Sequence, residues 1–191
     1  MTYFAGAKDL IVFMFTTAAA PVKRRVDDSY YDDLLLGGRG GDRLFGDGYL
    51  VIMIGGRGSD VLDGCSRIDL VYAIYSRNPV TVKLDNGFAK GEGYDTLRNI
   101  NAVLGTPYAD VIVGSNYTEK IFDRSYSELL IGGGGDDKVR GRQDPDRLEG
   151  SAGDDALVGS DGVAGNDQLA GGDGSDYCTY DPDDLVETCE N

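Results

Sequence analysis

A nine-residue unit recurs along this chain in one frame, and no other feature restricts its fold as much. Gly37-Gly38-Arg39-Gly40-Gly41-Asp42-Arg43-Leu44-Phe45 and Gly55-Gly56-Arg57-Gly58-Ser59-Asp60-Val61-Leu62-Asp63 share it. So do Gly132-Gly133-Gly134-Gly135-Asp136-Asp137-Lys138-Val139-Arg140 and the segment from Gly171 to Thr179. Degenerate copies fill 105–113, 114–122, 123–131, 141–149, 150–158 and 162–170. The first six residues of the unit read as a turn, where glycine tolerates positive φ and lets backbone approach closely. The last three read as a short strand. Its eighth position faces one way, and the seventh and ninth face the other. Leu44, Leu62, Ile112, Ile121, Leu130, Val139, Leu148, Leu157 and Leu169 occupy eighth positions, so they are expected to form an inward stack.

The pattern, G-G-x-G-x-D-x-U-x with U a large apolar residue, resembles the hemolysin-type (RTX) calcium-binding nonapeptide repeat. The resemblance covers roughly two-thirds of the chain. It implies an all-β fold, a parallel β-roll or right-handed β-helix with two nonapeptides per coil, here interrupted by a hairpin insertion. Turns 18 residues apart then stack about 4.8 Å apart, one sheet spacing.

The spacing of the acids fits that stacking. Asp42 lies 18 before Asp60, Asp137 lies 18 before Asp155, and Asp110, Glu128 and Asp146 follow at 18-residue steps. Glu119 lies 18 before Asp137. Gly159-Ser160-Asp161 reads as an insertion, so Asp146 aligns with Asp167 and Asp155 with Asp176, each 21 apart. Two carboxylates about 5 Å apart repel by roughly 3 kcal/mol at an effective dielectric near 20. A cation between the turns would remove that cost. Calcium accepts six to eight oxygens, carboxylate and carbonyl together. The resemblance implies several Ca2+ ions, each between turns of successive coils. The carbonyl donors would be Gly37, Gly38, Arg39 and Gly40 beside Asp42, and Gly55, Gly56, Arg57 and Gly58 beside Asp60. Gly132, Gly133, Gly134 and Gly135 would serve Asp137, Gly150 and Gly153 would serve Asp155, and Gly165 would serve Asp167. Gly171, Gly172 and Gly174 would serve Asp176. Asp110, Glu128 and Asp146 complete the set; segment 123–128 lacks its glycines, so sites touching it are expected to be weak. The alternative is that these acids only cap turns through side-chain hydrogen bonds.

Residues 1–27 carry no repeat. Leu10 to Ala20 has the length of a signal-peptide core, or is a strand that caps the first coil. Residues 28–72 form a first set of coils, where Val51 replaces a turn acid and leaves Asp33 and Asp69 as poor ligands. Arg39, Arg43, Arg57 and Arg67 are expected to be solvated or paired with nearby acids. Residues 73–104 interrupt the repeat. Val80 to Leu84 alternates, Asp85-Asn86-Gly87 is a turn, and Phe88-Ala89 resumes, which predicts a hairpin. Asp95 is a further candidate ligand. Residues 105–179 form the second, longer set, and 180–191 an acidic tail over the open end.

Of three cysteines, Cys178 and Cys189 are expected to bridge, with Cys178 as a small buried hydrophobe the alternative. Such a paired ending resembles Sec-exported members of the family. Cys65 is left over. The chain has no histidine, which removes Ser-His-Asp, Cys-His and His-Glu-x-x-His chemistry. Its net charge of −15 repels nucleic acid and anionic membrane, and no apolar run is long enough for a membrane-spanning helix. The reading is a secreted, extracellular calcium-binding module without catalysis. The other readings are a surface-recognition module with a cell-surface or glycan partner, and a non-catalytic part of a larger secreted enzyme.

Overall fold

The computed structural model describes residues 2–4, 10–14, 23–25, 32–46, 50–64, 68–72 and 76–190. It is an all-β solenoid of about eight turns, as expected for a β-roll. Among the described residues a ten-stranded and an eleven-stranded sheet face each other. The first runs from Thr2–Phe4 to Tyr177–Thr179 and the second from Lys23–Arg25 to Leu185–Glu187. The chain alternates between the sheets, so each turn crosses one edge of the roll.

The repeat length sets the register. Lys120–Phe122 lies parallel to Lys138–Arg140, with Ile121 opposite Val139. Val139 then aligns with Leu157, and Leu157 with Cys178. In the other sheet Ile112, Leu130, Leu148 and Leu169 align. The step is 18 residues until the 159–161 insertion and 21 across it, and it changes in both sheets together. These side chains form one buried column, and Ile112, Ile121, Leu130, Leu148 and Leu157 are wholly enclosed. Leu44 and Leu62 continue it toward the N-terminus.

The interruption is a meander built into one sheet only. Thr81–Lys83 and Phe88–Lys90 pair antiparallel across the Asp85–Gly87 turn, and Phe88–Lys90 also pairs with Tyr94–Arg98. Tyr94–Arg98 joins Val61–Asp63 in parallel, and Thr81–Lys83 joins Val111–Val113 in parallel. In the opposite sheet Ile68–Tyr72 sits directly beside Ala102–Leu104. One sheet therefore holds two strands more than the other at this level, an offset of about 10 Å. Inward Val82, Ala89 and Leu97 keep the core continuous across it.

At the C-terminus Leu185–Glu187 pairs with Gln168–Asp173, and a Cys178–Cys189 disulfide fastens the tail to the last coil. At the N-terminus Leu10–Met14 is a strand parallel to Asp32–Arg39. The rest of the proposed signal-peptide core, Cys65 and Arg67 lie outside the described residues. No helix is long and apolar enough to cross a membrane among the described residues.

Candidate functional site: the stacked acidic turns

The turns use two conformational rules. Positions two and four of the nonapeptide take positive φ: Gly172 at 112° and Gly174 at 143° in the last full repeat. Non-glycine residues hold the same conformation at Tyr126, Arg142, Asp144 and Ser151, with φ of 81°, 99°, 75° and 86°. Positions two and four also lie against backbone of the neighbouring coil. A Cβ on Gly172 would collide with the carbonyl oxygen of Ser151, and one on Gly174 with that of Gly153. Glycine therefore brings carbonyls of successive coils together.

The sixth-position acids repeat one arrangement. Oδ1 accepts the backbone N–H of the acid one coil earlier. Asp42 N–H donates to Asp60 (2.7 Å), Glu119 to Asp137 (2.6 Å), Asp137 to Asp155 (2.8 Å) and Asp155 to Asp176 (2.9 Å). On the other edge Glu128 donates to Asp146 (3.0 Å) and Asp146 to Asp167 (2.8 Å). Oδ2 of Asp60, Asp137, Asp146, Asp155, Asp167 and Asp176 is buried without a hydrogen-bond partner. In most repeats it leans over the first glycine of its own turn. A Cβ on Gly132, Gly141, Gly150 or Gly171 would collide with Oδ2 of Asp137, Asp146, Asp155 or Asp176. Capping thus accounts for one oxygen of each carboxylate and leaves the other.

That second oxygen is costly. A buried carboxylate oxygen without a donor forfeits at least about 1–3 kcal/mol of hydration. The acids respond as buried anions. Desolvation, opposed by the Glu119 N–H and reinforced by the charges of Glu119 and Asp155, raises Asp137 to about 7. Desolvation and the charge of Asp146 raise Asp167 to about 6, against the Asp146 N–H. Asp60, Asp146 and Asp155 are also raised, mainly by desolvation. The ion pairs Arg57–Glu92 (3.3 Å) and Arg147–Glu149 (3.6 Å) engage surface acids rather than these ladder acids.

The donor set fits a hard divalent cation: hard anionic oxygens aimed into glycine turns, with backbone carbonyls close by. Among the described residues no three acidic or sulfur side chains converge on one point, so carbonyls must supply most of any shell.

Other acids behave differently. Asp110 was expected as a ligand by spacing, yet both its oxygens are engaged. Oδ1 accepts Val80 N–H and the Thr106 hydroxyl, and Oδ2 accepts Thr106 N–H. Glu119 is held in the same way by the Ser115 hydroxyl and N–H. Thr106 and Ser115 stand at position two, where Gly38, Gly56, Gly133 and Gly172 take positive φ. A hydroxyl four residues before the acid makes both contacts, whereas Ser151, at the same distance from Asp155, donates to Glu149 instead. Beneath Asp167 Oδ2 lies Gly159 (3.1 Å from a Cβ placed there), whereas Gly165 faces Asp183. The side chains of Asp33 and Asp69 lie outside the described residues.

Two ladder members escaped the 18-residue count. Asp60 N–H donates to Asp95 Oδ1 at 2.9 Å, 35 residues away, because the meander intervenes. Asp167 N–H donates to Asp184 Oδ1 at 3.2 Å, across 17 residues. Asp95 is raised to about 7 by desolvation and by the charge of Asp60, against the Asp60 N–H.

No curated protein matches the chain. The family model of the RTX calcium-binding nonapeptide repeat matches it in four copies, over residues 27–48, 131–163 and 161–184. Those spans contain the turns of Asp42, Asp137, Asp155, Asp167 and Asp176. The chain therefore carries four copies of the RTX calcium-binding nonapeptide repeat.

Proposed function

We propose that this is a secreted, extracellular calcium-binding β-roll whose folding and stability depend on several Ca2+ ions held between its turns, with no catalysis of its own. One observation carries the reading: from coil to coil, one carboxylate oxygen caps the neighbouring turn and the other is buried without a donor. The ligands would be Asp42, Asp60, Asp137, Asp146, Asp155, Asp167 and Asp176, with carbonyls of the glycine turns beside them. Calcium supplies the positive charge that this arrangement lacks. The Cys178–Cys189 bridge supports an oxidising compartment. Asp110 and Glu119 are assigned to turn capping instead. Isothermal calorimetry tests the reading: several ions should bind, with affinities in the 10⁻⁴–10⁻³ M range common to extracellular calcium modules. An absence of calcium heat at millimolar concentration would refute it.

Surface recognition is a second reading with one observation in its favour. Where the meander offsets the sheets, a cleft of about 530 Å³ is lined by Asp85, Asn99, Asn116, Thr118 and the exposed Tyr117. Polar amides beside an aromatic suit a sugar, and pulldown on cell walls or a glycan array would show it.

A further inference from the structure

The buried polar groups of this roll divide along the chain. Among the described residues, buried carboxylate oxygens without a hydrogen-bond partner occur at Asp60 and again at positions from Asp123 to Asp176. From Ser76 to Phe122 no buried side-chain oxygen or nitrogen lacks a partner. The two buried acids of that stretch are closed by their own turns. Asp110 accepts the Thr106 hydroxyl (2.9 Å), Thr106 N–H (2.5 Å) and Val80 N–H (2.8 Å). Glu119 accepts the Ser115 hydroxyl and N–H. Neither needs a cation to satisfy its oxygens. Asp95 is half-buried and keeps contact with water.

The same stretch is a complete two-layer unit. Phe88–Lys90 pairs with Thr81–Lys83 and with Tyr94–Arg98, and Thr81–Lys83 pairs with Val111–Val113, giving four neighbouring strands of one sheet. Ala102–Leu104 and Lys120–Phe122 are neighbours in the opposite sheet. All six strands lie within residues 81–122. Nine buried apolar residues fall in 80–122, against six in the longer stretch 123–179. The hairpin turn closes locally, Gly87 N–H donating to the Leu84 carbonyl (3.1 Å), so little chain entropy is lost before its strands meet.

We propose that residues 80–122 are a metal-independent island: they stay folded without calcium, and the coils on either side order against them when the ion binds. The inference rests on the reading of the flanking coils as calcium-dependent. Burial of apolar surface favours a fold, and buried polar groups left without partners oppose it. The island has more of the first and none of the second, and the flanks have the reverse. It also has the three or more strands over an apolar layer that a small sheet needs. Both of its ends present strands to the flanks. Tyr94–Arg98 is the partner of Val61–Asp63, and Lys120–Phe122 is the partner of Lys138–Arg140. In a stack where each coil contacts only its neighbours, the coil beside an ordered one is the next to order.

The test is hydrogen exchange of the full chain, read by mass spectrometry of its peptic fragments, in chelator and in millimolar calcium. In chelator, amides of 80–122 should exchange at least about tenfold more slowly than those of 123–176, and in calcium both stretches should be protected. The double variant Thr106→Val, Ser115→Ala should remove most of that contrast in chelator. Ser151→Ala is the control. It deletes a hydroxyl at the same distance from an acid, but one that meets Glu149, so the contrast should stay. Equally fast exchange of both stretches in chelator would overturn the proposal alone. So would slow exchange confined to the disulfide-closed coil at 168–189, or a contrast that the double variant leaves whole. Equally slow exchange of both stretches in chelator would overturn it together with the calcium dependence of the flanks. Should the double variant fail to fold in calcium, the wild-type comparison decides.

Discussion

Asp137→Asn separates the two oxygens of a ladder carboxylate. Asparagine keeps an acceptor for the Glu119 N–H, now 2.6 Å from Oδ1, and removes the charge on the buried Oδ2. In the folded, metal-free chain Asp137 titrates at about 7, against 3.8 for the free side chain. A folded pKa raised above the unfolded one means that the fold favours the protonated form. The stability this group contributes is full below about pH 3.8 and is lost as pH climbs through about 7. Each pKa unit is worth about 1.4 kcal/mol, so ionising Asp137 in place costs roughly 4 kcal/mol. Relaxation of the turn around the charge lowers that to about 2–4 kcal/mol. In calcium-stripped buffer at pH 8, Asp137→Asn should therefore be about 2–4 kcal/mol more stable than the wild type. At a urea slope near 2 kcal/mol/M that is a midpoint shift of about 1–2 M. At pH 4 the advantage should vanish, since the wild type is largely protonated. If the wild type is already unfolded at pH 8, the same energy appears as a higher pH limit for its β-type circular dichroism signal. With calcium present the order reverses, because the variant has lost a ligand. An asparagine variant no more stable than wild type at pH 8, or equally favoured at pH 4 and pH 8, would refute the reasoning.

Other outcomes follow from the same geometry. Arg142→Gly, at an exposed position with φ of 99°, should raise stability by about 1 kcal/mol in urea titration, whereas Gly174→Ala, whose Cβ meets the Gly153 carbonyl, should lower it by about 2 kcal/mol or more. Reduction, or Cys189→Ser, should cost about 2–3 kcal/mol for a bridge spanning 11 residues, and thiol counting on the unfolded, unreduced protein should find one free thiol. Asp155→Ala should weaken two calcium sites in calorimetry, because its turn faces both Asp137 and Asp176. Asp110→Asn should leave calcium stoichiometry unchanged, because Thr106 and Val80 already occupy its oxygens.

The repeat made the coil, the inward column and most of the ladder legible in advance, since a period of 18 residues leaves little freedom in a parallel register. The insertion at 159–161 was readable because both edges shift by three residues together. What stayed hidden has local causes. Asp95 has Val113 and no acid 18 residues on, but the meander places it on Asp60, and strand pairing of that kind leaves no mark in a count. Asp110 and Glu119 have the right spacing, and the hydroxyls of Thr106 and Ser115 that close their turns differently are matched in sequence by Ser151 before Asp155, so the difference shows only in the hydrogen bonds. Asp123 stands where the pattern has glycine, so it reads as decay of the repeat, and only its burial and an oxygen without a donor set it apart. Gly165 was chosen by frame, whereas the looped insertion puts Gly159 under Asp167.

The central claim is that calcium supplies the charge without which the stacked carboxylates oppose folding. Far-ultraviolet circular dichroism of the full chain against free calcium, from micromolar to ten millimolar at neutral pH, tests it most directly, with magnesium as the control. A site filled at about 100 times its dissociation constant returns about 2.7 kcal/mol, so four or five sites rival the 5–15 kcal/mol of a typical fold. The account predicts a largely disordered spectrum at micromolar calcium, a cooperative gain of β signal in the submillimolar to millimolar range, and little response to magnesium. A full β spectrum in calcium-free buffer, unchanged on adding the ion, would contradict it.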